Sequence, residues 1–261
     1  VKTDSMLQDW PALLRTFTAR LAKGFRHSVT WTGLKGVPRT ALNDRINNQR
    51  RFATQQYEIA RLEAVAKPLA VTVEELLCYL LSSSVRRFFK EFNALPDQPM
   101  VALLADRSRK DGSMNPLFFS LATHQADKRR RLDEIKRALK IARHQYAMLT
   151  PADARAEGTV DSLPYLLRQA LGIDHQLAPM FNLGIAELSL GDESRYLDGA
   201  RLEYVFPMPM LLQGGALNVG FMRYAKTWSI CLLGARENLP HLQRMAVYMG
   251  KALEELEEAL A

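Results

Sequence analysis

Two short apolar runs in the last third of the chain flank a tight turn, and together they indicate a β-hairpin. The runs read Leu217-Asn218-Val219-Gly220-Phe221-Met222-Arg223-Tyr224 and Trp228-Ser229-Ile230-Cys231-Leu232-Leu233, with Ala225-Lys226 at the turn. Both have the length of a strand and carry aromatic and β-branched residues, which favour strands. We therefore predict a hairpin of two strands over Leu217–Tyr224 and Trp228–Leu233.

Further strands and several helices are predicted on either side of the hairpin. Short apolar runs predict strands at Phe52–Ile59, Met100–Ala105, Leu117–Thr123, Met180–Leu188 and Ala200–Val205. Helical spacing of apolar residues predicts helices at Trp10–Phe25, before Pro68, from Thr72 to about Phe92, across 127–146, after Thr150-Pro151 and from Asn238 onward. Because strands are interspersed with long helices, we predict an α/β fold: a mixed β-sheet with packed helices.

Local capping signals predict where the helices begin. Thr72 and Glu75 fit a capping box, in which each side chain binds the backbone N–H of the other residue. Thr150 followed by Pro151 is typical of an N-cap and a first helical residue. Asn238 is expected to cap the last helix. The polar segment 106–113 between two predicted strands is expected to be a charged loop.

Composition indicates an ordinary globular protein and excludes wholesale disorder: 48% of the 261 residues are hydrophobic and 24% are charged. Cys78 and Cys231 lie far apart in apolar runs, which argues against a disulfide framework and a cysteine-based zinc site and favours a reducing, intracellular compartment. No apolar run reaches the roughly 20 residues that cross a bilayer, and no signal peptide is recognisable. Because the chain begins with Val1 rather than Met, we expect it to be a piece of a longer protein.

The net charge of +7 is concentrated in one segment, residues 127–144, which holds eight Lys or Arg against three acids. The simpler interpretation is a solvated helix face opposite the apolar stripe of Leu132, Ile135 and Leu139. The alternative is attraction of a phosphate-rich ligand or of anionic lipid headgroups. Nucleic acid is not expected as a partner, because neither interleaved aromatic residues nor a recognisable nucleic-acid-binding motif accompanies the charge.

Standard catalytic and metal-binding motifs are absent from the sequence. It contains no Gly-x-Ser-x-Gly elbow, no Gly-x-Gly-x-x-Gly, no phosphate-binding Gly-rich loop and no His-Glu-x-x-His. The five histidines are scattered, and none pairs with another at ligand spacing. We therefore predict neither a metal site nor a bound cofactor.

Gly214-Gly215 and Asn218 are the residues around the hairpin that suggest a binding site. Two glycines before a strand allow positive φ or a close approach of the backbone to a ligand. Asn218 interrupts an apolar strand and shares a sheet face with Ala216 and Gly220, whose small side chains leave room for a ligand. The alternative is a tight turn followed by one hydrogen-bonded core amide.

Five stretches follow one another in an order typical of one protein family. They are Arg50-Arg51-Phe52-Ala53, Leu95-Pro96-Asp97-Gln98-Pro99, Gly199-Ala200-Arg201-Leu202-Glu203-Tyr204-Val205-Phe206-Pro207-Met208, Gly214-Gly215-Ala216-Leu217-Asn218-Val219 and Gly234-Ala235-Arg236-Glu237-Asn238-Leu239-Pro240. From about Leu42 onward, the chain resembles the C-terminal half of the bacterial wax ester synthase/acyl-CoA:diacylglycerol acyltransferase family.

The resemblance implies a chloramphenicol-acetyltransferase-like domain, one of two similar domains with the active site in a channel between them. It implies transfer of a fatty acyl group from acyl-CoA, a substrate rather than a cofactor, to a long-chain alcohol or diacylglycerol. Residues 1–40 would be an inter-domain linker region, and residues 41–261 the C-terminal acyltransferase-like domain. The substrate-binding residues implied are Asn218, Gly214 and Gly215 near the reacting centre, and Met208, Met210 and Leu212 along the acyl chain. For the methionines and leucines, packing in a core is the alternative.

The family's catalytic motif, His-His-x-x-x-Asp-Gly, is absent from this chain. In the family it lies in the N-terminal half, and its second histidine is the base that takes the proton of the acceptor alcohol. We therefore expect an N-terminal catalytic domain as the partner of this chain. No catalytic residue is assigned here, and the chain alone is expected to be inactive.

Three motifs that surround the channel in the family are altered. The family's Asn-Asp is Glu74-Glu75, its Pro-Val-Ser-x-Arg is Ala105-Asp106-Arg107-Ser108-Arg109, and its Ser-Asn-Val-Pro-Gly-Pro is Ala186-Glu187-Leu188-Ser189-Leu190-Gly191. These changes favour a second hypothesis, a non-catalytic family member that acts as a lipid-binding or partner subunit. A basic binding module unrelated to acyltransferases is a third hypothesis.

The expected location is cytoplasmic, with peripheral attachment to the inner membrane or to lipid bodies as a further expectation.

Overall fold

The computed structural model describes residues 10–23, 36–106, 114–173 and 176–260. Within these residues the strands are β1 (Arg50–Glu58), β2 (Val101–Asp106), β3 (Asn115–Ser120), β4 (Leu183–Gly191), β5 (Tyr196–Leu197), β6 (Ala200–Arg201), β7 (Leu217–Tyr224) and β8 (Thr227–Ala235). The α-helices are α1 (Trp10–Lys23), α2 (Ile59–Ala66), α3 (Val73–Glu91), α4 (Lys128–Ala147), α5 (Pro151–Leu171) and α6 (Gln243–Leu260).

Six strands of the described residues form one mixed sheet, in the order β1-β8-β7-β4-β2-β3. Strand β4 runs parallel to both of its neighbours, β2 and β7. The other neighbouring pairs are antiparallel. The sheet and the helices packed against it confirm the predicted α/β fold class.

The predicted hairpin is confirmed as β7 and β8. Tyr224 pairs with Thr227, so that Ala225-Lys226 forms a two-residue turn, and Ala225 has a φ of +49°. Turns of this length favour positive φ because their twist then matches that of the two strands. Alternate residues of β7 enter the main core: Leu217, Val219 and Phe221.

Helices α3, α4 and α6 cover one face of the sheet and enclose the main core. The capping box at the start of α3 is confirmed. Thr72 Oγ1 accepts a hydrogen bond from the Glu75 amide at 3.1 Å, and Glu75 Oε2 accepts one from the Thr72 amide at 2.8 Å. These bonds satisfy two N–H groups that the helix leaves unpaired, and so fix where α3 begins.

Two buried asparagines attach residues 38–43 to the sheet. Asn43 Nδ2 donates to the Phe181 carbonyl at 2.8 Å. Asn182 Nδ2 donates to Asn43 Oδ1 at 2.8 Å and to the Pro38 carbonyl at 2.7 Å, and Asn182 Oδ1 accepts from the Val101 amide. The segment before β1 is therefore packed onto the domain, although the boundary at residue 40 stays a prediction.

The strand predicted at Ala200–Val205 is wrong beyond Arg201. Only two residues, β6, pair with β5, and residues 202–212 have no regular secondary structure. The alternation in the sequence is favourable for a strand, but a strand also needs a neighbour to accept its backbone hydrogen bonds. In the described part of the chain, no neighbouring strand offers such an edge to residues 202–205.

The predicted helix cap at Asn238 is also wrong. Helix α6 begins at Gln243, and Asn238 Nδ2 instead donates to the Ala41 carbonyl at 3.1 Å. Pro240 explains the difference, because the residue before a proline is disfavoured in the helical region. The predicted loop after Asp106 covers residues 107–113, which lie outside the described residues.

Candidate functional site

The two glycines before β7 form the predicted tight turn. Gly214 has a φ of +76°, a conformation that favours glycine, and both glycines are buried. The Gly215 amide donates to the Leu212 carbonyl at 3.0 Å. The Gly214 carbonyl accepts from Asn43 Nδ2 at 3.4 Å, which connects the turn to the segment before β1.

The side-chain oxygen and nitrogen of Asn218 each make one hydrogen bond within the chain. Its Oδ1 accepts from the Gly184 amide at 3.0 Å, and its Nδ2 donates to the Met210 carbonyl at 2.5 Å. A Cβ at Gly184 would lie 2.6 Å from Asn218 Oδ1, so the close approach requires a glycine there. Asn218 thus joins β4 to the segment that precedes β7.

The segment 202–212, which we call the strap, lies across the outer face of β7. A Cβ at Gly220 would lie 2.7 Å from Pro207 Cγ. Pro207 therefore occupies the room that the small residues of β7 were expected to leave for a ligand. Met208 and Met210 are 68% and 72% exposed, and Leu212 is half-buried. Their contact with an acyl chain stays a prediction.

Residues from the three altered motifs meet in one cleft of about 360 Å³. Glu74 lies in the first turn of α3, Asp106 is the last residue of β2, and Glu187 lies on β4. Strands β2 and β4 are parallel, with Ala105 opposite Ala186. The next residue on each strand, Asp106 and Glu187, carries a carboxylate, and the two therefore lie side by side. Arg143 of α4 completes the charged lining.

Two of the three carboxylates in this cleft contact one guanidinium. Arg143 Nη2 contacts the Glu74 carboxylate and lies 3.4 Å from Asp106 Oδ1. Burial lowers the pKa of Arg143, but its hydrogen bond to Glu74 and the charges of Glu74 and Asp106 outweigh burial and raise it overall. Burial, together with the charge and hydrogen bond of Glu74, raises the pKa of Glu187 to about 7. The pKa of Glu187 therefore lies near neutral pH.

The cleft and the predicted Asn218 site lie on opposite faces of the sheet. Gly184 of β4 contacts Asn218, whereas its neighbour Ile185 enters the core under the helices. Side chains alternate along a strand, so Glu187 shares the helix-covered face with Ile185. In the structure, Asn218 and Gly214 lie next to the strap, which contains Met210. All three residues are apart from the charged cleft.

Sequence reasoning noticed the three altered motifs but missed Arg143 and the convergence of all four side chains. One signal was available: Arg143 follows Leu139 by four residues, which places it beside the buried stripe of the basic helix. Among the described residues, no group of three His, Cys, Asp or Glu side chains is arranged to hold a metal ion.

Comparison with known proteins identifies the family. Residues 113–257 match the family model of the WS/DGAT C-terminal domain, and residues 6–77 match that of the wax ester synthase/diacylglycerol acyltransferase catalytic domain. The chain belongs to the wax ester synthase/diacylglycerol acyltransferase family. The resemblance read from the sequence is thereby confirmed.

Relatives in this family are about twice as long as the chain. "Putative diacyglycerol O-acyltransferase Rv3480c" of Mycobacterium tuberculosis is 31% identical over 85% of this chain and 47% of its own length. O-acyltransferase WSD of Acinetobacter baylyi is 26% identical over 98% of this chain and 57% of its own length. The solved wax ester synthase/diacylglycerol acyltransferase from Marinobacter aquaeolei VT8 is 26% identical, with a TM-score of 0.74 over 92% of this chain and 56% of that one. The chain thus spans about half the length of the relatives that it matches.

Proposed function

We propose that the chain is the C-terminal half of an O-acyltransferase that moves a fatty acyl group from acyl-CoA to a long-chain alcohol or diacylglycerol. The products would be wax esters or triacylglycerols and free CoA. The observation that carries the proposal is the TM-score of 0.74 to the Marinobacter aquaeolei wax ester synthase/diacylglycerol acyltransferase over 92% of this chain. The names of the bacterial relatives support the same reaction class.

In this reaction the acceptor hydroxyl oxygen attacks the thioester carbonyl carbon. The new C–O bond forms, the C–S bond breaks, and the hydroxyl proton passes through a general base to the departing sulfur of CoA. The chain lacks His-His-x-x-x-Asp-Gly. We assign the base to an N-terminal catalytic domain, and assign to this half one wall of the channel.

An exposed apolar surface supports a covering domain. The β5–β6 turn and the strap expose large hydrophobic side chains: Tyr196, Leu197, Tyr204, Phe206, Met208 and Met210. Contiguous exposed patches of this kind mark interaction surfaces or binding grooves in soluble domains. We propose that the catalytic domain covers part of this surface, and that Met208, Met210 and Leu212 line the path of the acyl chain there.

Asn218, Gly214 and Gly215 would act by positioning the strap. The two hydrogen bonds of Asn218 hold the strap backbone at Met210 against β4. The buried Gly214-Gly215 turn fixes the point where the strap returns to β7. This positioning role is proposed beside the predicted place of Asn218 near the reacting centre.

The acidic cleft favours a second candidate function, that of a non-catalytic member which binds lipid or a partner subunit. Glu74, Asp106 and Glu187 stand where the family pattern has Asn, Val and Asn. Carboxylates in the channel wall would disfavour an apolar acceptor, because a charged group is costly to bury without full pairing.

Among the described residues, none of the helices has both the length and the apolar composition of a membrane span. We propose that the protein acts in the cytoplasm and meets its apolar substrates by peripheral attachment at the inner membrane or at lipid bodies.

The test is to extend the reading frame upstream and to express the protein that contains the whole frame. We expect a His-His-x-x-x-Asp-Gly motif upstream, and release of CoA from palmitoyl-CoA when hexadecanol or diacylglycerol is added. Replacing the second motif histidine by alanine is the matched control and should abolish release. A folded, full-frame protein that releases no CoA with either acceptor would favour the non-catalytic alternative.

A further inference from the structure

A second cavity, of about 170 Å³, lies between α3, α4 and α6. Its lining includes Arg86, Arg87 and Lys90 from α3, and Lys128 and Arg131 from α4. It is separate from the acidic cleft, because Arg86 follows Glu74 by twelve residues, or about 18 Å along the same helix. None of the residues assigned above to the acyltransferase reaction or to the strap lines this cavity.

The most buried charge in the cavity wall is Arg131, which is 5% exposed. Its guanidinium donates to the Gln125 carbonyl at 2.7 Å and to Ser83 Oγ at 3.1 Å, and lies 5.3 Å from the centre of the Tyr79 ring. Among the described residues, its Nε has no hydrogen-bond partner. These contacts hold the side chain in place, but all of them are to uncharged groups.

Arg86 is the second guanidinium that lacks a counter-charge. Its Nη1 donates to the Thr123 carbonyl. Burial, followed by the charge of Arg131, lowers the pKa of Arg86, so the two guanidiniums repel each other. In the described part of the chain, neither Arg86 nor Arg131 has a carboxylate within 4.0 Å.

The cavity as a whole carries a strong positive excess. Five basic side chains line it, against a single carboxylate in its lining, Glu255. Glu255 already binds Lys128 at 2.8 Å and lies 3.6 Å from Arg87. Partly buried cations are ordinarily paired with carboxylates or other anions, so this wall is short of negative charge.

We propose that this cavity binds a phosphate group, carried either by the headgroup of an anionic phospholipid or by a soluble phosphate compound. A phosphate offers oxygens that guanidinium groups bind in bidentate geometry, and its charge compensates the excess. The cavity volume of about 170 Å³ is about ten times the roughly 10–15 Å³ that holds one water molecule by the same kind of measure, so a group of several heavy atoms has room there. The exposed basic residues at the start of α4, next to the cavity, add attraction at longer range: Arg129 and Arg130.

The test compares two double variants of the 261-residue chain that remove the same charge. Arg86→Gln/Lys90→Gln alters the cavity, whereas Arg137→Gln/Lys140→Gln alters exposed residues of α4 outside it. The probes are inorganic pyrophosphate, measured by titration calorimetry, and vesicles of phosphatidylglycerol with phosphatidylcholine, measured by co-sedimentation. Vesicles of phosphatidylcholine alone are the control for the lipid probe.

We expect the cavity variant to bind the recognised probe at least about tenfold more weakly, because it loses charged contacts to phosphate. The exposed variant should change affinity by less than about twofold, because exposed charges are screened by salt.

The pattern across the probes identifies the source of the phosphate. Loss confined to phosphatidylglycerol vesicles indicates a lipid headgroup, loss confined to pyrophosphate indicates a soluble ligand, and loss with both indicates a general phosphate site. The proposal is overturned if the unaltered chain binds neither probe, or if the two variants weaken binding equally. The proposal does not depend on the acyltransferase function.

Discussion

Replacing Glu187 by glutamine should change how the stability of the protein depends on pH. Glu187 lies in the cleft with Glu74, Asp106 and Arg143, and its pKa is raised from 4.5 to about 7 in the folded chain. Between these two values the folded state holds a proton that the unfolded state has released. The free energy of unfolding therefore falls as the pH rises through this range.

The size of this effect follows from the two pKa values. Each pH unit of separation corresponds to about 1.4 kcal/mol, so the interval from 4.5 to about 7 sets an upper limit of about 3.5 kcal/mol. Glu187 is half-buried, and solvent screening reduces the loss, which we place at about 1 to 3 kcal/mol. Glutamine stays neutral and can still donate to Glu74, so Glu187→Gln should be more stable than the unaltered chain above about pH 7 by this amount.

The assay is urea unfolding of the unaltered chain and of Glu187→Gln, followed by tryptophan fluorescence from about pH 5 to about pH 8.5. The two unfolding free energies should differ least at about pH 5, separate further up to about pH 7, and keep a constant separation above it. Glu193→Gln, at an exposed position after β4, removes the same charge and should show no such separation. If the curves for Glu187→Gln and the unaltered chain run parallel across the whole range, the account of the cleft is refuted.

Three further predictions concern the strap and the missing catalytic motif. Gly220→Ala should lower the free energy of unfolding by about 1 to 3 kcal/mol, because the new Cβ would lie 2.7 Å from Pro207 Cγ. Gly215→Ala is the control, since its Cβ would lie 3.4 Å from the Leu212 carbonyl oxygen; equal melting temperatures for the two variants would contradict the prediction. Asn218→Leu should lower the free energy of unfolding in urea by about 1 to 3 kcal/mol, because it removes the hydrogen bonds to the Gly184 amide and the Met210 carbonyl. Unchanged stability with lost turnover in the full-frame protein would instead place Asn218 at the substrate. The 261-residue chain alone should release no CoA from palmitoyl-CoA with hexadecanol, and robust ester synthesis would disprove the assignment of the base to another domain.

Local features of the sequence were enough to predict the elements that depend on local interactions. The β7–β8 hairpin and the capping box at Thr72 and Glu75 were correct, because a tight turn and a helix cap involve residues at most a few positions apart. The same reasoning failed at Ala200–Val205 and at Asn238. There the outcome depended on a missing neighbouring strand and on Pro240, whose effect outweighed the cap signal.

The sequence also determined the family, because the order of several short stretches is a property of the chain itself. It could not show that Glu74, Asp106, Arg143 and Glu187 meet in one cleft. These residues are separated by more than thirty positions each, and the parallel register of β2 and β4 together with the packing of α3 and α4 brings them together.

The surroundings of Asn218 were likewise decided by tertiary structure. The alternation along β7 correctly placed Asn218 and Gly220 on the face away from the core, since that depends only on the strand period. What covers that face is the strap, with Pro207 against Gly220 and the Met210 carbonyl on Asn218. A strand's own sequence sets which side chains share a face, but the chain that packs on that face comes from another segment, and its position is fixed only when the whole fold forms.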